Sequence, residues 1–193
     1  MPGVYTYEAK RSVQPGTARF NAASYVESIW ASRILPTVAS KAVDAATLLP
    51  AIARNATAAG RKYGHQADDG SPYSFLIKGA GTVVKVDTSA QTGPVTVNVD
   101  SAGRAAEVQL ATGPVFVGTA LRDAVGFIKF NDFTNQIDYA NVALALNAKV
   151  RADVVASLDR NTLHGKHIRF AGAFTLLPGG TILVVPTRVQ VIS

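Results

Sequence analysis

The residues best suited to chemistry crowd into one stretch, Phe127-Ile-Lys-Phe-Asn-Asp-Phe-Thr-Asn-Gln-Ile-Asp-Tyr-Ala-Asn141, with Arg122-Asp123 just ahead of it. Four aromatic rings, Phe127, Phe130, Phe133 and Tyr139, alternate there with amides and carboxylates. Aromatic faces stack on the C–H face of a sugar, and planar amides and carboxylates make paired hydrogen bonds to its hydroxyls. Arg122, Asp123, Asn131, Asp132, Asn135, Gln136, Asp138 and Tyr139 are therefore the candidate ligand-binding residues. The same oxygens suit Ca²⁺. An internal role stands open beside both: Thr134 or Asn135 can cap the following helix, Asp138 suits its positive end, and Arg122 with Asp123 can form a local ion pair.

Other constellations carry less. Gly79-x-Gly81 begins like a dinucleotide fingerprint, but Val84 stands where the third glycine belongs and a strand, not a helix, follows. His164-x-x-His167 is broken by Gly165 and by the start of a strand, so the two imidazoles do not share a helix face. With no cysteine in the chain, thiolate catalysis and cysteine zinc sites are excluded. No nucleophile elbow, zinc-helix or phosphate-loop motif occurs. No metal and no cofactor is expected, and the segment reads as a means of recognition.

These residues need a frame. The first twenty residues contain Pro2, Pro15 and Gly16, lack periodicity and read as an extended arm (1–20) without the apolar core of a signal peptide. Helical patterning covers 21–64. Asn21 or Ser24 offers an N-cap, Ser24-x-x-Glu27 fits a capping box, and Val26, Ile29, Trp30 and Ile34 share a face. Pro36 is expected to interrupt that helix. A second helical stretch runs from Asp44 to Tyr63, broken or kinked at Pro50, with Gly64 after it. After the loop over 65–72 the period falls from 3.6 to 2.

Strands are expected over Tyr73 to Asp87, Val95 to Val99, Ala106 to Ala111 (extended, on one reading, by Pro114 to Gly118), His167 to Leu176 and Thr181 to Ile192. A turn covers Ser101 to Gly103. The strongest helix runs from Asn135 to about Leu158, with Tyr139, Val142, Leu146, Val150 and Val154 on one stripe. Three strands, a helix and two strands, with Gly79 and Gly81 placed to bend the first, give an α+β fold. In it a helical region packs on a five-stranded OB-like β-barrel (73–193), the crossover helix lying between strands three and four. An open α+β sandwich is the competing topology.

The net charge of +6 raises nucleic acid or an anionic surface as a partner. Up to Lys62, eight basic residues face three acidic ones, and beyond it the two nearly balance. That scatter resembles a solvated helical surface more than a binding stripe. The residues expected outward on strands two and three are Thr96, Asn98, Asp100, Glu107 and Gln109, with neither the aromatics nor the cations that hold single strands. Nucleic acid is accordingly not an expected partner. No apolar run approaches the 18 or so residues of a membrane span.

The runs GTALRDA (Gly118 to Ala124), FNDFTNQIDYANV (Phe130 to Val142), YSFLIKGAGTV (Tyr73 to Val83) and the closing GKHIRFAGAF…ILVVPTRVQV resemble a bacterial family of uncharacterised predicted periplasmic lipoproteins. The likeness spans nearly the whole chain. It implies a periplasmic protein held to the membrane by an N-terminal lipid, with Met1-Pro2-Gly3 standing where a signal and lipobox cysteine would be. It also implies association with sugar ABC transporters, hence a sugar or a sugar-binding protein as partner. The resemblance brings no catalytic residues. Taken together, the reading is a non-enzymatic periplasmic lipoprotein, an accessory or ligand- or partner-binding component linked to carbohydrate uptake. The alternative is a cell-envelope glycan-acting enzyme using Asp123, Asp132 or Asp138 as acid and base, for which sequence spacing cannot supply the needed carboxylate separation. A third reading lays the basic helical arm on anionic lipid headgroups.

Overall fold

The computed structural model describes residues 19–100 and 106–192. All but the end of the expected N-terminal arm, and the expected turn at Ser101 to Gly103, lie outside the described residues. The chain forms a mixed α+β fold of helices and one seven-stranded sheet.

Asn21 opens the first helix, its side chain accepting from the backbone N–H of Ser24 at 2.9 Å, so Ser24 lies inside the helix and is not its cap. Pro36 does not end it. Helix α1 (Ala22–Ile29) passes through a π-helical turn (Trp30–Ile34) into α2 (Leu35–Lys41). A proline ring collides with the carbonyl four residues back and offers no N–H to it. Widening the preceding turn, so that the Leu35 N–H reaches Trp30 O, accommodates this while keeping Trp30 and Ile34 buried.

Likewise Pro50 sits within α3 (Ala45–Arg54), and the break comes at Asn55, whose extended backbone ends α3 and whose side chain caps α4 (Ala56–Tyr63). Gly64 is extended rather than left-handed, because it enters a two-residue strand, β2 (Gly64–His65). A second short strand, β1 (Val43–Asp44), joins α2 to α3.

The sheet is organised by β3 (Ser74–Val86), which pairs with β6 (His167–Thr175) over residues 74–82 and with β4 (Pro94–Val99) from Gly81 onward. Next to β4 lies β5 (Ala106–Ala111), which runs parallel to β7 (Leu183–Ile192), and β7 returns to β6. The pairings β3-β4-β5-β7-β6 thus come back to β3.

Gly81 is the hinge of this path: a Cβ there would lie 2.1 Å from Asn98 O, so only glycine admits both neighbours. The bulge itself falls between Val83 and Lys85, just past the glycines. Inside the ring Phe75, Ile77, Val83, Val95, Val97, Val108, Leu110, Ile168 and Phe174 are almost fully buried, with Phe75 stacked on Phe174 at 5.1 Å.

A second core forms outside the strands. Leu76, Ala173 and Val185 of β3, β6 and β7 meet Val26, Ile29, Trp30, Ile34 and Val38 from the N-terminal helices, together with the buried stripe of α6 (Gln136–Val150). That stripe is Tyr139, Val142, Leu146 and Val150, as the spacing predicts. Regular α-helix gives way to a π turn at Arg151–Val155, short of Leu158. Lys149 bridges Glu27 on α1 (2.6 Å) and Asp153 (3.0 Å), tying the two long helices together. These hydrogen bonds to carboxylates push the Lys149 amine above its ordinary range. Residues 114–118 form no strand. Instead the chain drops into α5 (Ala120–Ala124), a short helix buried along its whole length. On the outer face of β4, Thr96 is buried, its short side chain set between the longer Lys85 and Gln109 of the flanking strands, while Asp100 and Glu107 are exposed as expected.

Candidate functional site

The eight candidate residues separate into three settings. Arg122 and Asp123 lie inward on α5, their side chains only 9% and 10% exposed, with Arg122 Nε donating to Asp123 Oδ1 at 2.7 Å. The other carboxylate oxygen accepts from Thr119 Oγ1, and the guanidinium lies over the Tyr139 ring, 3.7 Å from its centroid, with Nη1 donating to Tyr139 O at 3.3 Å. Burial is the main force raising the Tyr139 phenol above its ordinary range, opposed by Arg122. A buried charge of this kind must be paired, and here the pairing is internal: the network fastens α5 to α6.

At the head of α6, Asn135 is the N-cap. Its Oδ1 accepts from the Asp138 N–H at 2.9 Å and its Nδ2 donates to Asp138 Oδ2 at 3.0 Å. Asp138 thereby supports the cap from the first turn, where the helix dipole favours a carboxylate.

The third setting is the turn Phe130–Asp132. Here the Lys129 N–H donates to Asp132 Oδ2 at 3.1 Å and the Asp132 N–H donates to Lys129 O. Asn131, Asp132 and Gln136 are exposed. The turn is held from below by rings. Phe133 packs against Phe20 (5.4 Å), Tyr25 (5.6 Å) and Tyr139 (5.6 Å), and Phe130 meets Tyr139 edge to face while staying 45% exposed.

Beside this turn opens a cleft of about 560 Å³ lined by Tyr25, Arg33, Gly126, Phe127, Lys129 and Asp132. Only Asp132 among these belongs to the candidate set. Tyr25 arrives from α1 and Arg33 from the π-helical turn that follows it, about a hundred residues upstream, and no local spacing announces them. The Arg33 guanidinium carbon lies over Phe127, 4.0 Å from the ring centroid, a cation–π contact that holds the guanidinium at the cleft wall. The Tyr25 phenol is held above its ordinary range mainly by burial, with Arg33 opposing and Asp132 adding to the shift.

Gly126 turns the chain into the cleft at φ +75°, with the His65 ring 3.0 Å from where a Cβ would stand. The cleft therefore presents two rings, two cations and one carboxylate. That is the donor and acceptor set of a site for a polyhydroxylated or polar ligand. Among the described residues no group of His, Asp and Glu is arranged to hold a metal ion. His167 is committed elsewhere, to Asp100 at 2.9 Å and Thr82 at 3.3 Å.

A family described as predicted periplasmic lipoprotein (DUF2291) matches residues 4–190. The chain belongs to this family. Periplasmic, lipid-anchored localisation, expected from the resemblance of the motifs, follows from the family's description. No curated protein matches the sequence. Among solved structures the chain is similar to an OB-fold protein from Thermotoga maritima. The two are 22% identical, with a TM-score of 0.75, over 90% of this chain and 99% of that one. At that identity the likeness concerns the fold alone.

Proposed function

We propose that this periplasmic lipoprotein is a non-enzymatic accessory component of carbohydrate uptake, an OB-like barrel carrying a helical layer, which grips a sugar or a sugar-binding protein at the cleft beside Phe130–Asp132. The observation that carries this reading is the cleft's chemistry. The Arg33 guanidinium, set over Phe127, and the Asp132 carboxylate line one cleft of about 560 Å³, with Tyr25 and Lys129 completing it. Asn131 and Gln136 lie exposed on the same turn and helix start, where their amides are open to hydroxyl groups.

The glycan-cleaving alternative requires two carboxylates facing one another across a substrate. Asp123 is buried against Arg122, Asp138 supports a helix cap and Asp132 closes a turn, so the three carboxylates occupy separate settings. This supports grip over turnover.

The test is a thermal-shift screen with mono- and oligosaccharides, paired with a pull-down using a periplasmic sugar-binding protein as bait. A shift or a retained complex that is lost in Arg33→Gln and Asp132→Asn, the latter keeping an oxygen to accept from the Lys129 N–H, is the expected result. Blank outcomes in both arms overturn the proposal, as does cleavage of a glycan by the purified protein.

A further inference from the structure

The outer face of β3, β6 and β7 is only half covered by helices. One cross-strand row, Leu76–Ala173–Val185, lies under the helical layer. The next two rows, Lys78–Ala171–Arg188 and Ala80–Arg169–Gln190, emerge beyond it. Cross-strand partners share a face, and neighbouring strands are about 4.8 Å apart, so Lys78 and Arg188 flank Ala171 at roughly 10 Å while Arg169 stands one row on. Alanines at the centre of this floor leave a groove of about 720 Å³, walled by Leu35 and Ala39 of α2.

Three exposed cations thus line one half-apolar trough. The single carboxylate in the lining, Asp44, caps α3 by accepting from the Ala46 N–H at 2.9 Å. Among the described residues none of the three cations is in an ion pair. Arg188 donates only to the neutral Gln190, at 3.1 Å.

We propose that this groove binds an amphiphilic phosphate, with the phosphate held by Lys78, Arg169 and Arg188 and an apolar chain laid against Leu35, Ala39 and the alanine floor of Ala80 and Ala171. Guanidinium forks and an ammonium around one point match a phosphate's oxygens. The apolar wall opposite has no role for a bare inorganic anion. An anionic phospholipid carries both parts, and a lipid-anchored protein works at the surface that supplies it.

Calorimetric titration of the intact protein tests the proposal with three soluble probes: inorganic phosphate, glycerol 3-phosphate and a short-chain phosphatidylglycerol below its micelle concentration. The short-chain lipid is expected to bind more tightly than glycerol 3-phosphate, and added salt should weaken it. Arg169→Gln and Arg188→Gln, both at exposed positions, should each weaken it about tenfold or more while leaving the melting temperature unchanged. Ala171→Leu, which fills the floor without touching a charge, should also block it. Equal binding of the lipid and glycerol 3-phosphate overturns the amphiphile. Absence of binding by all three probes, or binding indifferent to the arginine variants, overturns the site.

Discussion

Removing the Asp123 carboxylate tests whether the Arg122–Asp123 pair is part of the scaffold or part of a site. In Asp123→Ala the guanidinium keeps its hydrogen bond to Tyr139 O and its stack on the ring, but loses its counter-charge at 2.7 Å in a place where its side chain is 9% exposed. Stripping one partner from a buried ion pair costs about 3–5 kcal/mol, because the remaining charge is left without compensation. In a chain of this size each kcal/mol moves the melting temperature by about 2–4 °C, so the variant should melt roughly 6–20 °C lower without any ligand present. Replacing both members, Arg122→Met with Asp123→Leu, removes the stranded charge and should recover most of the loss. Circular-dichroism melts of the single and double variants, backed by urea titration, read this directly. A single variant melting within about 2 °C of the parent, or a double variant no better than the single, would refute the internal-network account.

Two further outcomes follow from the same geometry. Asn135→Ala, which deletes the cap of α6, should cost about 1 kcal/mol in urea unfolding, whereas Gln136→Ala, one residue on, should cost almost nothing. On the alkaline side, the raised Tyr139 phenol means the folded protein holds that proton more firmly than the unfolded chain does. Its contribution to stability is complete below the ordinary value of 10.0 and drains away as the pH climbs past it toward the folded-state value. Tyr139→Phe should therefore flatten the loss of stability above pH 10.0, as followed by melting temperature against pH.

Sequence patterning located most of the frame because the frame obeys local rules. Val95, Val97 and Val99 alternate in the chain and are buried together in β4, and the three- and four-residue spacing from Tyr139 to Val150 is the buried stripe of α6. It failed where long-range packing overrode a local signal. Pro36 reads as a stop, yet burial of Trp30 and Ile34 on both sides of the turn holds the helix together through a π-helical widening. Helix α5 is too short to show a period, and two charged residues in its five conceal that it is buried. The eight polar candidates looked like one cluster because they are close in sequence. Helix geometry sends Arg122, Asp123 and Tyr139 inward and leaves Asn131 and Gln136 in water. The cleft draws one wall, Tyr25, from α1 and another, Arg33, from the π-helical turn after it, and a pairing across that distance leaves no trace in local spacing.

Strand β3 is completed on one side by β6, whose residues lie some ninety positions further along the chain, and the sheet's last member, β7, ends at Ile192. Until β6 and β7 are in place, β3 and β5 each lack one of their two neighbours in the ring, which stays open on that side. Loop-closure entropy must be met before such distant contacts repay it, so the β3–β6 and β5–β7 seams carry the largest ordering cost of the sheet and depend most on the packing of the residues they bury.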